Sequence, residues 1–444
     1  MNAPTVSRET LRGAAVLTVE EHSLPVVRFV IALRRGSAVD PDGQSGALRA
    51  MMELMLRGTQ GKNRERFNAE LEELGSSFNA VPGSEAAYFR GVALKRNLSA
   101  TVALIAEALS TPAFDAEEHA ALIDEMVQAL ASDRDDDDTV AELFLRRSFY
   151  KGHPLQRSPL GEAPQVAKLD IEALRCLHGT RVVTSDMIIA FAGDITPAES
   201  LQAANIIVEK LPSGMAQPSL TAALPALPAP QGLRIVVADK PDRAQVQLRV
   251  ANPGLPGVHG DTLALWLGIV AFGGTFTSPL TQEVRDVRGW SYVAHADFSR
   301  RQVLPSPIVL RSVPPKDNAV DCLVLELELL DKLAQGQLPQ AVLERARSYM
   351  LGRYPFEVAT AADMLNPVLR CELLGEPATE IFTTPTKIES LDDAQVRAAL
   401  IKHLQPANLT VAMVSTAADI RAELATKLPA ATIEVVDFRT ELGG

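Results

Sequence analysis

The chain has 444 residues, 47% of them hydrophobic and 22% charged, and a formal net charge of -12. That length supports a large core in two or more domains, and the acidic balance argues against a nucleic-acid partner. The longest apolar run, residues 263–272, is about half of the roughly 20 residues that a membrane span requires.

In chain order, residues 15–35 hold two candidate strands, AVLTVEE and, after the SLP turn, VVRFVIALRR. Gly36-Ser37 and Pro41-Asp42-Gly43 are turn signals. GALRAMMELMLRGT (46–59) predicts one short helix that ends at Gly58. A second helix over 64–74 stops at Gly75, a plausible C-cap. SSFNAVPGSEAAYFRGVALK reads as two strands around Pro82-Gly83. Residues 98–109 form an amphipathic helix and 116–131 a longer one. The charge run DRDDDD (133–138) lacks the alternating ligands and the Gly of a calcium loop, so it reads as a solvated turn and N-cap before TVAELFLRRSFY. The loop KGHPLQRSPLG (151–161) gives His153 no obvious partner, and a structural role is expected for it. Helices over 170–177 and 198–211 flank the strand SDMIIAFAGDI (185–195).

Residues 212–232 carry five prolines in 21 positions and no period, so they predict an extended, semi-rigid linker between an N-terminal domain (1–211) and a C-terminal domain (233–444). The second half repeats the order of the first. Strands at 233–238 and 244–250 precede a helix over 261–272, closed by Gly273-Gly274, and a helix over 279–287 that ends at Gly289. The strands SYVAHADFS and SPIVLRSVP follow, then a helix over 318–335. Gly75-Ser-Ser-Phe-Asn-Ala and Gly289-Trp-Ser-Tyr-Val-Ala each follow a charged helix and open a strand, which supports an internal duplication. Further helices are expected over 339–353, 360–374, 392–404 and 417–428, with Pro367 kinking or breaking the second, and a late strand at 409–415. The fold class is therefore α+β: two homologous domains, each a mainly antiparallel sheet packed with helices.

Cys176, Cys322 and Cys371 form no CxxC, so neither a disulfide framework nor a Cys-type zinc site is expected; the seven histidines are isolated in sequence, which rules out HExxH and HxxEH and leaves only the less favoured assembly of distant histidines. Arg49, Met52 and Glu53 stand at i, i+3 and i+4 of the first helix. His, Glu and His at those positions would spell HxxEH, in which two imidazoles hold zinc and the carboxylate takes a proton from bound water. Arg49 does not ligate a cation, Met52 is no base, and Glu53 alone is one ligand. In the second half, GGTFTSPLTQEVRDVRGWSY (273–292) sets Arg285 in the last turn of a helix and Tyr292 at the start of a strand. Both are donors suited to carbonyl oxygens or a developing oxyanion. A surface charge and a core-edge aromatic are the plainer reading of the same two residues.

The first helix resembles the G-x-A-H-x-x-E-H-x-x-x-x-G-T segment of the pitrilysin, insulin-degrading-enzyme and mitochondrial-processing-peptidase family. Aligned on Gly58-Thr59, the family's first His falls on Arg49, its Glu on Met52 and its second His on Glu53. Gly273, Gly274, Ser278, Leu280, Arg285, Gly289 and Tyr292 match the family's C-terminal pattern G-G-x-x-x-S-x-L-x-x-x-x-R-x-x-x-G-x-x-Y without a gap. GSAVDP, GHPL with its following LG, TSDMIIAFAGDI and DKPDRAQVQLRVANPG extend the likeness over roughly 15–440. The distal glutamate ligand would fall near Glu125 of LIDEM.

The resemblance implies half of a clam-like shell. It also implies the non-metal-binding subunit of a heterodimeric zinc peptidase, inactive alone, whose catalytic Arg285 and Tyr292 and substrate-binding Gly273 and Gly274 complete the site of a homologous HxxEH partner. Peptides would be the substrates and the zinc would sit in the partner. Two alternatives stand beside it: a non-catalytic scaffold or core subunit of a larger complex, and an autonomous zinc peptidase, against which Arg49 and Met52 argue. The N-terminus MNAPTVSRETLRG has no apolar signal core, which points to the cytoplasm, or to the periplasm if a leader has been removed.

Overall fold

In the first half, β1 (Thr5–Leu11), β2 (Ala14–Glu20), β3 (Val26–Leu33), β6 (Ser77–Val81), β7 (Ala87–Leu94) and β8 (Met187–Gly193) form one sheet, in the order β1-β2-β8-β3-β7-β6. The strands β4 (Gly58–Thr59) and β5 (Lys62–Asn63) make a separate two-residue hairpin. In the second half, β9 (Arg234–Asp239), β10 (Gln247–Asn252), β11 (Ala294–Phe298), β12 (Ile308–Ser312), β13 (Thr410–Ser415) and β14 (Thr432–Asp437) form the other sheet, in the order β11-β12-β10-β13-β9-β14. The computed structural model that shows this arrangement describes residues 5–215, 217–229, 231–299 and 302–441. The outermost residues of both expected domains, and Ala216 and Pro230 of the expected linker, lie outside the described residues.

The duplication is visible in the topology. β2-β8-β3-β7-β6 and β9-β13-β10-β12-β11 follow the same path, and each half adds its sixth strand beyond the first: β1 antiparallel to β2, β14 parallel to β9. Antiparallel pairing predominates; β2 with β8 and β13 with β9 are also parallel. The pleat explains why both faces of the first sheet are apolar. Val16, Phe29, Ile31, Ile189 and Phe191 face helices Ala47–Met55 and Leu98–Ser110, while Ala15, Leu17, Val30, Ala32, Ile188 and Ala190 face the other way.

That second face is covered by a helix from the other half. Met364, Leu365, Val368 and Leu369 of helix Ala361–Leu374 complete its core. In return, Val140, Ala141, Phe144, Leu145 and Phe149 of helix Asp137–Phe149 pack on Val236, Ala238, Ala251, Ala412 and Val414 of the second sheet. Each half thus lends one helix to its counterpart's sheet. Polar contacts follow the exchange. Asp137 pairs with Lys240 at 2.6 Å and Arg243 at 3.2 Å, Asp138 pairs with the buried Arg249, and Glu372 binds Arg8 and Arg34, each at 2.7 Å.

Several expectations are corrected. The 133–138 run caps its helix, Asp136 accepting from the Thr139 amide, but Asp137 and Asp138 are ion-paired across the halves and not merely solvated. The 212–232 stretch holds a one-turn helix, Leu220–Ala223, whose buried Leu220 anchors it to the core that both halves share. Helix Ala361–Leu374 runs unbroken through Pro367, because its apolar face is buried on the sheet and offsets the lost hydrogen bond. Tyr292 lies in a turn, with β11 starting at Ala294. Gly273 is the last helical residue and does not lie beyond the helix. Elements without a prior expectation include β1, the short hairpin β4–β5, β14 and helix Glu380–Ser390, which carries Pro385 inside it. His153 is structural, as expected: it is buried, its Nδ1 accepts from the Leu155 amide, and its Nε2 meets the Pro225 carbonyl at 3.1 Å.

Candidate functional site

Helix Ala47–Met55 displays what the chain has in place of a zinc site. Arg49 Nε donates to Glu53 Oε1 at 2.7 Å, and its Nη1 donates to the Leu160 carbonyl at 3.2 Å. Met52 is wholly buried in the core of the first half. Glu125, on helix Ala116–Ser132, takes both amino groups of Arg57, which holds its carboxyl below the usual carboxylate range. Two arginines therefore occupy the two carboxylates that the family resemblance aligns with metal ligands. These residues do not fit zinc: no imidazole is present among them, and each acidic group is already neutralised by a guanidinium.

The second element is built at the far end of the equivalent helix in the second half, Thr262–Gly273. Gly273 is required by packing, since a Cβ there would come within 2.6 Å of both the backbone nitrogen and the Cβ of Ala296 on β11. A Cβ on the half-buried Gly274 would come within 2.7 Å of Val270 Cα. The loop that follows is knitted by hydroxyls. Ser278 Oγ donates to the Thr275 carbonyl at 2.5 Å, and Thr281 Oγ1 bridges the Thr275 and Ala294 carbonyls at 3.0 and 2.7 Å. This loop carries Phe276, 70% exposed, at its tip. A groove of about 510 Å³, lined by Thr277, Val342, Arg345 and Tyr349 among others, runs between the loop and helix Gln340–Glu357.

Arg285 is presented by a π-helical turn, Gln282–Val287, a wide-turn geometry that recurs at functional sites. The turn closes when the Gly289 amide donates to Arg285 O at 3.1 Å and the Trp290 amide to Val284 O at 3.0 Å. Gly289 takes φ +65°, a left-handed value suited to glycine. Ser291 then fixes the next turn, its Oγ accepting from the Val313 amide at 2.8 Å.

The outcome is a stack on the surface. The Arg285 guanidinium carbon lies 4.5 Å from the centre of the Tyr292 ring and 5.1 Å from that of Phe276. Its nearest acid is Asp286, at 3.8 Å. Tyr292 is 75% exposed, and among the described residues its hydroxyl has no hydrogen-bond partner. Both rings lie within cation–π distance of the guanidinium, whose N–H groups are donors to nearby acceptors.

Of the residues singled out by sequence, Arg285 and Tyr292 are brought together, and Arg49 and Glu53 are brought together apart from any metal. Gly273 and Gly274 are brought to the base of the loop. Phe276 was not anticipated; its only signal was a large apolar residue in an otherwise polar loop. The histidines, isolated in sequence, are not all isolated in space: His259 and His403 meet edge to face with ring centres 5.3 Å apart.

Residues 15–163 match the family model described as insulinase (peptidase family M16), and residues 168–350 match the model described as peptidase M16 inactive domain, together about three quarters of the chain. The chain is 21% identical over 420 residues to a Helicobacter pylori protein named non-peptidase homolog YmxG, covering 94% of this chain and 95% of that one. It shares its fold with a Pseudomonas fluorescens peptidase M16 inactive domain at a TM-score of 0.85 and 22% identity, over 92% of this chain and 97% of that chain. It also superposes on the first half of the periplasmic protease PqqL from Escherichia coli at a TM-score of 0.76 and 15% identity, over 94% and 93% of the two chains. No helix of the described residues is long and apolar enough to cross a membrane.

Proposed function

The chain belongs to peptidase family M16 as an inactive member without the zinc signature, and from that premise we propose that it is the non-metal-binding subunit of a heterodimeric zinc peptidase. A homologous HxxEH subunit faces it, and the two close as halves of a clam-like shell around a peptide. The observation that carries this reading is the exposed Arg285–Tyr292 stack with its unengaged hydroxyl.

Zinc held by the HxxEH residues of the partner would supply Lewis-acid chemistry and an activated water. This chain's own residues do the rest from the opposite wall. The Tyr292 hydroxyl donates a hydrogen bond to the carbonyl oxygen as charge develops on it. Arg285, steadied beside two rings, donates to backbone carbonyls and holds the peptide extended. A donor already aimed at the developing oxyanion needs no reorganisation at the moment of reaction. The backbone at Gly274, half-buried beside the loop, lines the approach.

The test is hydrolysis of a peptide library by this chain alone, by a co-expressed HxxEH homologue alone, and by the mixture. Activity confined to the mixture, or greatly raised in it, is expected. Equal activity of the homologue with and without this chain would favour the second reading, a non-catalytic scaffold or core subunit. That reading draws support from the name of the Helicobacter pylori relative.

A further inference from the structure

The end of helix Thr262–Gly273 opposite the Arg285 loop gathers a different set of side chains. Among the described residues, His259, Asp261 and His403 are the one group of three His, Cys, Asp or Glu residues whose ligand atoms all lie within 4.8 Å of one another. We propose that these three residues bind a divalent transition cation, Zn²⁺ by its donor preference, at a site independent of the family's zinc helix.

Two imidazoles and one carboxylate suit zinc, which completes four-coordination with a water. The donors come from two elements whose backbones are already fixed. The Asp261 amide donates to His259 Nδ1 at 3.1 Å, the Thr262 amide donates to the His259 carbonyl at 3.0 Å, and Thr262 Oγ1 donates to the Pro256 carbonyl at 2.8 Å. His403 is the last residue of helix Asp393–His403, and its carbonyl accepts from Asn252 Nδ2 at 3.3 Å. The loop and the helix end therefore present their ligands with little chain entropy left to lose.

In the structure, His403 Nε2 lies 2.7 Å from Asp261 Oδ2, and Lys402 Nζ donates to the same oxygen at 2.8 Å. A cation replaces the proton on His403 Nε2 and displaces Lys402, whose side chain is 64% exposed and is released to water at small cost. His259 exchanges the Asp261 amide for the metal at Nδ1. His259 also lines a cavity of about 440 Å³, which gives a fourth ligand room.

The experiment uses the full chain, stripped with chelator and titrated with Zn²⁺ alone by calorimetry, with elemental analysis after dialysis. One equivalent is expected, with affinity falling as pH drops through the imidazole range, since binding must expel protons. His259→Ala and His403→Ala lose stoichiometric zinc, while Glu53→Gln and Glu125→Gln retain it. Lys402→Ala keeps all three donors and removes the competing cation, so it binds zinc several-fold more tightly. No stoichiometric zinc in the wild-type chain, retention in both histidine variants, loss in Glu53→Gln or Glu125→Gln, or a folded Lys402→Ala protein that binds none would each overturn the proposal.

Discussion

Arg285 stacks on Tyr292 with its guanidinium carbon 4.5 Å from the ring centre, and the Tyr292 hydroxyl projects beyond the stack with no bond to the described protein. The ring and the hydroxyl therefore do separable jobs. Tyr292→Phe keeps the platform under Arg285 and deletes only the donor. It is expected to lower turnover of the reconstituted heterodimer by about 10²-fold while leaving the melting temperature of this chain unchanged. Wild-type turnover in that variant would remove Tyr292 from the mechanism.

Phe276 is the second ring beside Arg285, its centre 5.1 Å from the guanidinium carbon. Its removal in Phe276→Ala frees the guanidinium to sample rotamers, so the expected loss lies mainly in KM, by several-fold, with a smaller change in kcat. Steady-state kinetics on the mixed subunits separate the two parameters. The residue is exposed, so stability should move by no more than about 0.5 kcal/mol.

Glu326 gives the second half a pH-dependent weakness. It is wholly buried on helix Ala319–Ala334, Cys322 Sγ reaches its Oε1 at 3.8 Å, and among the described residues its Oε2 has no hydrogen-bond partner. Burial pushes its pKa up to about 7. Between the ordinary carboxylate range and that value the folded chain holds a proton that the unfolded chain has lost. Stability therefore falls as pH rises through this window and stays at the lower level above it. Glu326→Gln should gain about 1–3 kcal/mol over wild type at pH 8 and almost nothing at pH 5, read from urea midpoints at the two pH values.

The Asp138–Arg249 pair locks the exchanged helix. Arg249 is buried in β10 and its partner reaches it from helix Asp137–Phe149 of the other half. Asp138→Ala strands the guanidinium and should cost about 1–3 kcal/mol, the lower end reflecting the exposure of Asp138 itself. Restoration of stability in Asp138→Ala/Arg249→Met would confirm that the stranded charge is the cause.

Local structure was largely legible because glycines punctuate it. Gly75 and Gly289 directly follow the C-caps of their helices, where sequence placed the ends, whereas the first helix stops at Met55 and Gly58 opens β4; all three glycines take positive φ. The Arg285–Tyr292 element was singled out by the resemblance of 273–292 to a family pattern; its residues alone favoured a surface charge and a core-edge aromatic. The misses share a different cause. β1, TVSRETL, is an exposed edge strand with almost no apolar alternation, so period-2 reasoning had nothing to detect. His259 and His403 are 144 positions apart in a chain whose histidines look solitary, and only the packing of two helix ends joins them. The acidic run at 133–138 looked solvated because its partners, Lys240, Arg243 and Arg249, lie about a hundred residues downstream.

The reciprocal loan of helices sets how this molecule can move. A hinge between its halves would drag Met364, Leu365, Val368 and Leu369 off one sheet, and Phe144, Leu145 and Phe149 off the other. At about 1.5–3 kcal/mol for each side chain exposed, that motion costs more than a folded domain typically has to spare. The chain must therefore move as one solid panel, and in the proposed heterodimer a peptide would enter only along the seam between the two subunits.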